Sequence, residues 1–126
     1  MLFVYPAVFH KEDDSYWAEF PDLQGCQTFG STLYETLEFA EEALSAYVTT
    51  LLEQNRTLPN PSDIETLDLP KDCFSSLVSC KITPSSATKS VKKTLTIPEW
   101  LNDRAMQLGI NFSQTLQDAL LTKIQQ

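Results

Sequence analysis

Residues 16–54 read YWAEFPDLQGCQTFGSTLYETLEFAEEALSAYVTTLLEQ, a stretch that specifies two strands, a turn between them and a long helix. Apolar side chains alternate along residues 16–20, which is typical of a strand with one buried face. Pro21 and Gly25 bracket a turn, and a short strand is predicted at residues 26–29, closed by a glycine. Because a sheet buries its apolar face against another layer, the helix that follows is expected to pack across these strands.

The helix is predicted over residues 32–54. Thr32 followed three residues later by Glu35 is a capping-box signature, which marks a helix start. Apolar side chains then recur at helical spacing and predict the buried stripe: Leu33, Leu37, Ala40, Leu44, Tyr47, Val48 and Leu51. The opposite face is glutamate-rich, a pattern typical of a solvated face and less often of a surface for a partner: Glu35, Glu38, Glu41 and Glu42.

The chain on either side of this stretch supplies the remaining strands. Residues 2–10 are rich in β-branched and aromatic side chains, and the acidic turn 11–15 joins them to the next strand as a hairpin. This apolar start contains Pro6, lacks a basic flank and is too short for a bilayer, so neither a signal peptide nor a membrane anchor is expected. Residues 74–82 alternate and predict a fourth strand. The expected fold class is α+β, with a three- to four-stranded antiparallel sheet and one long helix.

Charge divides the chain into two parts, although its 126 residues carry a formal net charge of −8. Residues 1–80 hold three basic and fourteen acidic side chains, a balance of −11, whereas residues 81–126 hold six basic and three acidic ones, a balance of +3. Residues 83–90 lack any large apolar side chain, which is typical of a linker. We therefore predict a domain at residues 1–82, a linker at 83–90 and a second domain at 91–126, whose positive charge permits nucleic-acid binding.

The second domain is predicted to contain one strand and two short helices. Residues 91–97 alternate between an apolar and a polar side, Pro98 precedes a helix at 99–108, and Gly109 stands where a left-handed helix cap is expected. Ser113 is predicted to cap the second helix, whose apolar side chains are Leu116, Ala119, Leu120 and Ile124.

So small a unit cannot bury enough surface alone, and its single strand leaves both edges unpaired. We therefore predict a dimer in which two copies pair their strands antiparallel. The apolar face of that ribbon covers the helices, and the other face presents Lys92, Thr94 and Thr96 to the major groove of DNA. The N-terminal amides of the second helix, near Ser113, are expected to face a phosphate.

Residues 92–113, KKTLTIPEWLNDRAMQLGINFS, resemble the ribbon-helix-helix family of bacterial repressors in their order of strand, proline, helix, glycine and serine. The resemblance covers about residues 90–124. The alternative is a tail that serves only to dimerise, which leaves the polar strand face without a use. The resemblance implies contacts to base edges from Lys92, Thr94 and Thr96, and contacts to backbone phosphates from Asn111 and Ser113.

The first domain resembles the HicB antitoxin domain across about residues 1–62. The specific part is FPDLQGC at residues 20–26, followed by GST at 30–32 and the glutamate-rich helix, while Gln24 stands where the family more often has proline. The resemblance implies a partial, degenerate ribonuclease H-like sheet in a non-catalytic antitoxin that binds a HicA-type toxin, a small basic ribonuclease. With the ribbon-helix-helix module, it implies a cytoplasmic dimer that binds operator DNA and represses its own operon, without cofactor or membrane.

Two other function classes stay open on the residues alone. A metal-dependent nuclease would need carboxylates such as those of Asp13, Asp14, Glu19 and Asp22. The first two fall in a turn that favours solvated charge, and His10 is the only histidine available for acid–base work. A stand-alone repressor with a ligand-sensing first domain has no phosphate-binding glycine loop in its favour.

The cysteines and the strand aromatics complete the set of candidate residues. Cys26, Cys73 and Cys80 are odd in number and form no C-x-x-C pair, so neither a disulfide framework nor a metal site is expected. Reduced thiols in a cytosolic protein are the expectation. Tyr16 and Trp17 are predicted to belong to the core rather than to an interface, because aromatic side chains in strands are more often buried.

Overall fold

The computed structural model describes residues 1–82 and 90–124, and the chain divides into two compact units, one of which spans Leu2–Ile82. The predicted linker at 83–90 lies outside the described residues except for Ser90. The first unit contains β1 (Leu2–Glu12), β2 (Ser15–Glu19), β3 (Gln27–Gly30), α1 (Leu33–Glu53), a 3-10 turn (Ile64–Thr66) and β4 (Cys73–Lys81). The second unit contains α2 (Glu99–Gln107) and α3 (Phe112–Ile124).

The four strands form one antiparallel sheet in the order β3-β2-β1-β4. β1 and β2 make a hairpin, and Asp13 in its turn has a left-handed φ of 51°, which a short polar side chain tolerates. The register places Phe9 of β1 opposite Ala18 on one side and Phe74 on the other. The α+β class and the four strands predicted within residues 1–82 are confirmed, with strand bounds displaced by at most two residues.

Helix α1 packs across one face of the sheet and closes the core of the first unit. Val78 and Cys80 of β4 are buried in this core, whereas Leu77, the neighbour of Val78, is 56% exposed, as the alternation of a strand predicts. Other buried side chains come from alternate positions of β1 and from one stripe of α1: Tyr5, Ala7, Phe9, Ala40, Leu44 and Val48. Ala18 of β2 and three residues of the turn after it complete this core: Phe20, Leu23 and Cys26.

The corner between β3 and α1 is built around the predicted capping box. Thr32 Oγ1 accepts a hydrogen bond from the Glu35 amide at 3.1 Å, and Glu35 Oε1 accepts one from the Ser31 amide at 3.3 Å. A Cβ atom on Gly30 would lie 2.6 Å from Thr36 Oγ1, so a larger residue at this position requires a shift of the helix start. The buried Thr36 hydroxyl donates to the Thr32 carbonyl at 2.7 Å.

The segment between α1 and β4 is attached to the first half of the unit by polar contacts. The Tyr5 hydroxyl donates to the Pro59 carbonyl at 2.6 Å, and the Ser62 amide donates to Asp22 Oδ2 at 2.8 Å. The Ser62 hydroxyl donates to the other oxygen of the same carboxylate. Burial, followed by the nearby Asp22 carboxylate and the Cys80 thiol, raises the pKa of Tyr5, which keeps its hydroxyl a donor.

In the second unit, α2 ends in the predicted left-handed cap. Gly109 has a φ of 69°, its amide donates to the Met106 carbonyl, and the Ile110 amide donates to the Ala105 carbonyl, both at 3.1 Å. These two bonds are those of a Schellman motif, in which a residue without a side chain adopts the left-handed conformation easily. The helix-glycine-helix order predicted for this unit is therefore confirmed.

Two predictions for the second unit differ from the structure. Ser113 does not cap α3, because the helix already begins at Phe112 and Asn111 Oδ1 accepts a hydrogen bond from the Gln114 amide at 3.0 Å. Asparagine caps a helix as well as serine does, and here it comes first along the chain. Residues 91–97 belong to no strand, because a strand requires hydrogen bonds to a second strand and the described single chain provides none here.

Candidate nucleic-acid interface and partner-binding surface

The five predicted DNA-contacting side chains belong to the second unit and occupy two places in its sequence. Three of them precede α2 within the 91–97 segment, and the other two lie together where α3 begins. A side chain must reach solvent in order to reach a nucleic acid, and all five residues are exposed: Lys92, Thr94, Thr96, Asn111 and Ser113.

The start of α3 is electrostatically suited to an anion. Its first turn carries no acidic side chain, so nothing there opposes the positive end of the helix dipole. Asn111 Oδ1 is engaged by the Gln114 amide, which leaves the side-chain NH2 of Asn111 as its group for a phosphate oxygen. Ser113 is the second residue of the helix, where a backbone amide has no acceptor within the helix.

The second unit leaves large apolar side chains exposed. Leu95 is 59% exposed and Ile97 49%, and among the described residues of this unit only Ala105 is buried. Covering a leucine or isoleucine side chain contributes about 1.5–3 kcal/mol, so a surface of this kind is stabilised by contact with another protein surface. The helices and the residues between them add further exposed apolar side chains: Trp100, Leu101, Met106, Leu108, Ile110, Phe112, Leu120 and Ile124.

The first unit has an acidic face, which we define by Glu38, Glu41 and Glu42 of α1, all exposed. These glutamates line an open cleft of about 450 Å³ between α1 and β4, together with Ser79 and Lys81. β4 is an edge strand, so one side of its backbone pairs with no strand of the described sheet. Three carboxylates beside an unpaired strand edge are suited to a cationic partner.

The sheet face opposite α1 carries a row of four cross-strand neighbours that the sequence analysis did not bring together. The register pairs Phe29 with Trp17, Trp17 with His10, and His10 with Cys73, so this row crosses all four strands. Phe29 is 76% exposed, and the other three are half-buried. The prediction that Trp17 belongs to the core is wrong, because its neighbour Ala18 takes the inward position of β2.

His10 lies at the centre of this row and has close contacts on three sides. Its ring stacks on Trp17 with centroids 3.8 Å apart and planes within 7°. Nδ1 lies 3.0 Å from Cys73 Sγ, and Nε2 lies 3.7 Å from Glu19 Oε1. Nε2 is buried and makes no hydrogen bond. No local motif in the sequence joins these residues, and only the pairing of β1 with β4 could have revealed them.

The other two cysteines have different surroundings. Cys26 and Cys80 are buried in the core of the first unit, and burial raises the pKa of Cys26 to about 11 and also raises that of Cys80. Both thiols are therefore held protonated at neutral pH. All three cysteines are free thiols in the structure.

The carboxylates considered for metal-dependent chemistry have separate surroundings. Asp13 and Asp14 lie in the hairpin turn, Glu19 faces His10, and Asp22 binds Ser62. Within residues 1–82 and 90–124, no three His, Cys, Asp or Glu side chains are grouped so that they could hold a metal ion. Among the described helices, none has the length and apolarity needed to cross a bilayer.

Comparison with known proteins assigns the chain to a family. Residues 5–123 match the HicB-like antitoxin of bacterial toxin–antitoxin systems. An uncharacterised 14.9 kDa protein from the rep-hol intergenic region of Haemophilus phage HP1 is 33% identical over 107 residues, which cover 82% of this chain and 80% of the phage protein.

Two solved structures are similar to the fold. A chain in the toxin–antitoxin complex from Streptococcus pneumoniae has a TM-score of 0.63 and 34% identity, covering 98% of this chain and 99% of that one. The N-terminal domain of the Burkholderia pseudomallei antitoxin HicB has a TM-score of 0.53 and 26% identity, covering 64% of this chain and all of that one, 100%. The chain described here therefore belongs to the HicB-like antitoxin family of bacterial toxin–antitoxin systems.

Proposed function

We propose that this chain neutralises a HicA-type toxin through its first unit and, as a homodimer, binds operator DNA through its second unit to repress its own operon. The observation that carries this proposal is the family match over residues 5–123, which spans both units. The likeness to a chain of a toxin–antitoxin complex supports it. Both activities are binding events, with no catalytic step and no cofactor.

Toxin binding is assigned to the acidic face of α1. The sequence up to residue 80 has a balance of −11, and Glu38, Glu41 and Glu42 concentrate exposed carboxylates on one surface. A small basic ribonuclease is complementary to this surface. Such complementarity mainly accelerates association, since it steers the encounter between the two proteins before they touch.

Neutralising these three glutamates tests the assignment. In the variant Glu38→Gln, Glu41→Gln, Glu42→Gln, we expect the association rate constant for a HicA-type toxin to fall by about tenfold at low salt. The difference should shrink as salt is added, because ions screen exposed charges. Stopped-flow association at two salt concentrations measures both effects.

A charge-matched variant provides the control. Glu12→Gln, Asp14→Asn and Asp68→Asn remove three exposed charges of the same unit away from the acidic face of α1. We expect the logarithm of the association rate constant to fall less than half as far in this control as in the variant of the acidic face. Equal slowing by both variants would show that net charge matters and the acidic face does not.

DNA binding is assigned to a ribbon formed by residues 91–97 of two copies. Pairing these segments supplies the strand partner that the single chain lacks, and it covers Leu95 and Ile97 against the helices. Alternation then puts Lys92, Thr94 and Thr96 of each copy on the opposite face, where a two-stranded ribbon fits the major groove. The start of α3, with Asn111 and Ser113, supplies contacts to a phosphate.

The oligomeric state tests the ribbon independently of DNA. Sedimentation equilibrium of the purified chain should give a dimer, and removing residues 89–126 should give a species that neither dimerises through this module nor binds operator. Operator binding by the truncated chain would overturn the assignment of DNA binding to the second unit.

A further inference from the structure

Cys73 and His10 form a close thiol–imidazole pair that the proposed function does not use. Cys73 is the first residue of β4, and the strand register sets it directly opposite His10 on β1. The separation between Cys73 Sγ and His10 Nδ1 is 3.0 Å, which is within hydrogen-bonding distance. At this distance a thiol proton can pass directly to the ring nitrogen.

Glu19 and Trp17 contact the ring on its other sides and favour the orientation that this transfer requires. Glu19 Oε1 lies 3.7 Å from Nε2, which is too far for a hydrogen bond. The negative charge of this carboxylate still favours the tautomer with its proton on Nε2, which leaves the lone pair of Nδ1 for the thiol. Trp17 lies flat against the ring at 3.8 Å and restricts its rotation. Nucleophile, base and orienting carboxylate therefore follow one another across three adjacent strands: Cys73 on β4, His10 on β1 and Glu19 on β2.

The same chain contains two thiols that lack these features. Cys26 and Cys80 are buried and have raised pKa values, with that of Cys26 at about 11. Cys73, in contrast, is half-buried at the end of an edge strand. A small reagent therefore meets Cys73 without opening the core, and the three cysteines are expected to differ widely in reactivity.

We propose that Cys73 is a modification site that exchanges with small disulfides, with His10 as its base and Glu19 as the positioning residue for His10. His10 Nδ1 takes the proton from Cys73 Sγ, and the thiolate attacks one sulfur of the incoming disulfide. A new S–S bond forms to Cys73, the old S–S bond breaks, and the departing thiolate takes the proton from the imidazolium. One thiol and one disulfide are consumed and one of each is formed, so no further oxidant is required.

The site would place a modifying group on the sheet face opposite α1. The group attaches at one end of the row that contains Phe29, Trp17 and His10, and it breaks the contact between Cys73 Sγ and His10 Nδ1. A redox-sensitive position is thereby built into the toxin-binding unit, away from the acidic face of α1.

The test uses the full-length chain and 5,5′-dithiobis(2-nitrobenzoate) as the disulfide. We expect one fast thiol, located at Cys73 by peptide mass spectrometry, and two thiols that react on the order of 100-fold more slowly because Cys26 and Cys80 are buried in the core. Cys73→Ser should remove the fast phase alone. Cys73 should also react faster in the folded chain than in urea, since unfolding separates it from His10. Oxidised glutathione should modify the same residue.

Two variants separate base catalysis from simple exposure. His10→Gln should slow the fast phase by about tenfold or more, and Glu19→Gln should slow it by several-fold, provided that Cys26 and Cys80 stay slow and so report an intact fold. Should His10→Gln unfold the chain, the comparison of Cys73 between native and urea-unfolded protein decides by itself. A Cys73 that reacts no faster than Cys26 and Cys80, or no faster folded than unfolded, would overturn the proposal.

Discussion

The two units of this chain differ in how they cover their apolar side chains. In Leu2–Ile82, α1 covers one face of a four-stranded sheet and leaves a closed core. In the C-terminal unit, two helices leave Leu95, Ile97 and most of their own large apolar side chains exposed. The acidic unit therefore completes its core alone, whereas the basic unit requires a second surface, which we assign to another copy of the chain.

The largest effect is expected when charge is placed on the exposed apolar surface of the second unit, which we assign to contact with another copy. Leu95→Glu with Ile97→Glu should abolish both dimerisation and operator binding, because two buried carboxylates per chain would oppose each other across the ribbon. Sedimentation equilibrium and an operator titration measure the two losses. Leu77→Glu is the control, since Leu77 is similarly exposed but lies in the first unit. A double variant that stays dimeric would contradict the assignment of this surface.

Replacing one leucine in each unit tests whether the two units have separate cores. Leu44 is fully buried under the sheet, so Leu44→Ala should lower the free energy of unfolding of the first unit by about 2–5 kcal/mol through lost burial and a residual cavity. Leu120 lies in the second unit and is 53% exposed in the single chain. Leu120→Ala should therefore leave the free energy of unfolding of the first unit unchanged. Urea denaturation of chains that also carry Trp100→Phe, followed by the near-ultraviolet signal of Trp17, reports the first unit. Similar losses for both variants would contradict two separate cores.

Side chains on the ribbon distinguish a DNA-binding second unit from one that only dimerises. Thr94→Ala and Thr96→Ala should each weaken operator binding by roughly 1–3 kcal/mol while leaving non-specific binding nearly unchanged. Lys92→Ala should weaken binding and reduce the salt slope by about one if its partner is a phosphate. Titration against operator and scrambled duplexes at two salt concentrations separates these effects. Parental binding by all three folded dimers would show that this face does not meet DNA.

The smallest expected effect concerns the cap of α3. Asn111→Ala should destabilise the dimer by about 1 kcal/mol, because the Gln114 amide loses its side-chain acceptor. Ser113→Ala should change stability less, since Ser113 lies inside the helix, and should reduce operator affinity only if its hydroxyl binds phosphate. Thermal unfolding by circular dichroism beside DNA titration keeps the two consequences apart. A larger stability loss for Ser113→Ala than for Asn111→Ala would contradict the observed cap.

Elements whose signals are local were predictable from the sequence. Thr32 and Glu35 mark the helix start within four residues, and Gly109 marks the end of α2 by its freedom to adopt a positive φ. The cap of α3 was misplaced because Asn111 and Ser113 are both good caps and lie two residues apart. The ribbon strand and the relation to ribonuclease H-like sheets stay predictions.

Features that depend on pairing between distant strands were not predictable. Cys73 and His10 are 63 residues apart, and their contact exists only because β4 returns beside β1 in one register. A shift of one residue would move Cys73 to the face of the sheet covered by α1. The prediction that Trp17 belongs to the core fails for another reason, because it rests on the general tendency of aromatic side chains in strands to be buried, whereas alternation puts Trp17 on the face opposite Ala18.

Toxin binding by the isolated first unit tests most directly the proposal that the first unit binds toxin and the second unit binds DNA. A fragment of residues 1–82 retains the whole sheet and α1. Isothermal titration calorimetry should show that this fragment binds a HicA-type toxin with an affinity per site close to that of the full chain, while it leaves operator DNA unbound. A folded fragment that fails to bind a toxin to which the full chain binds would contradict the account.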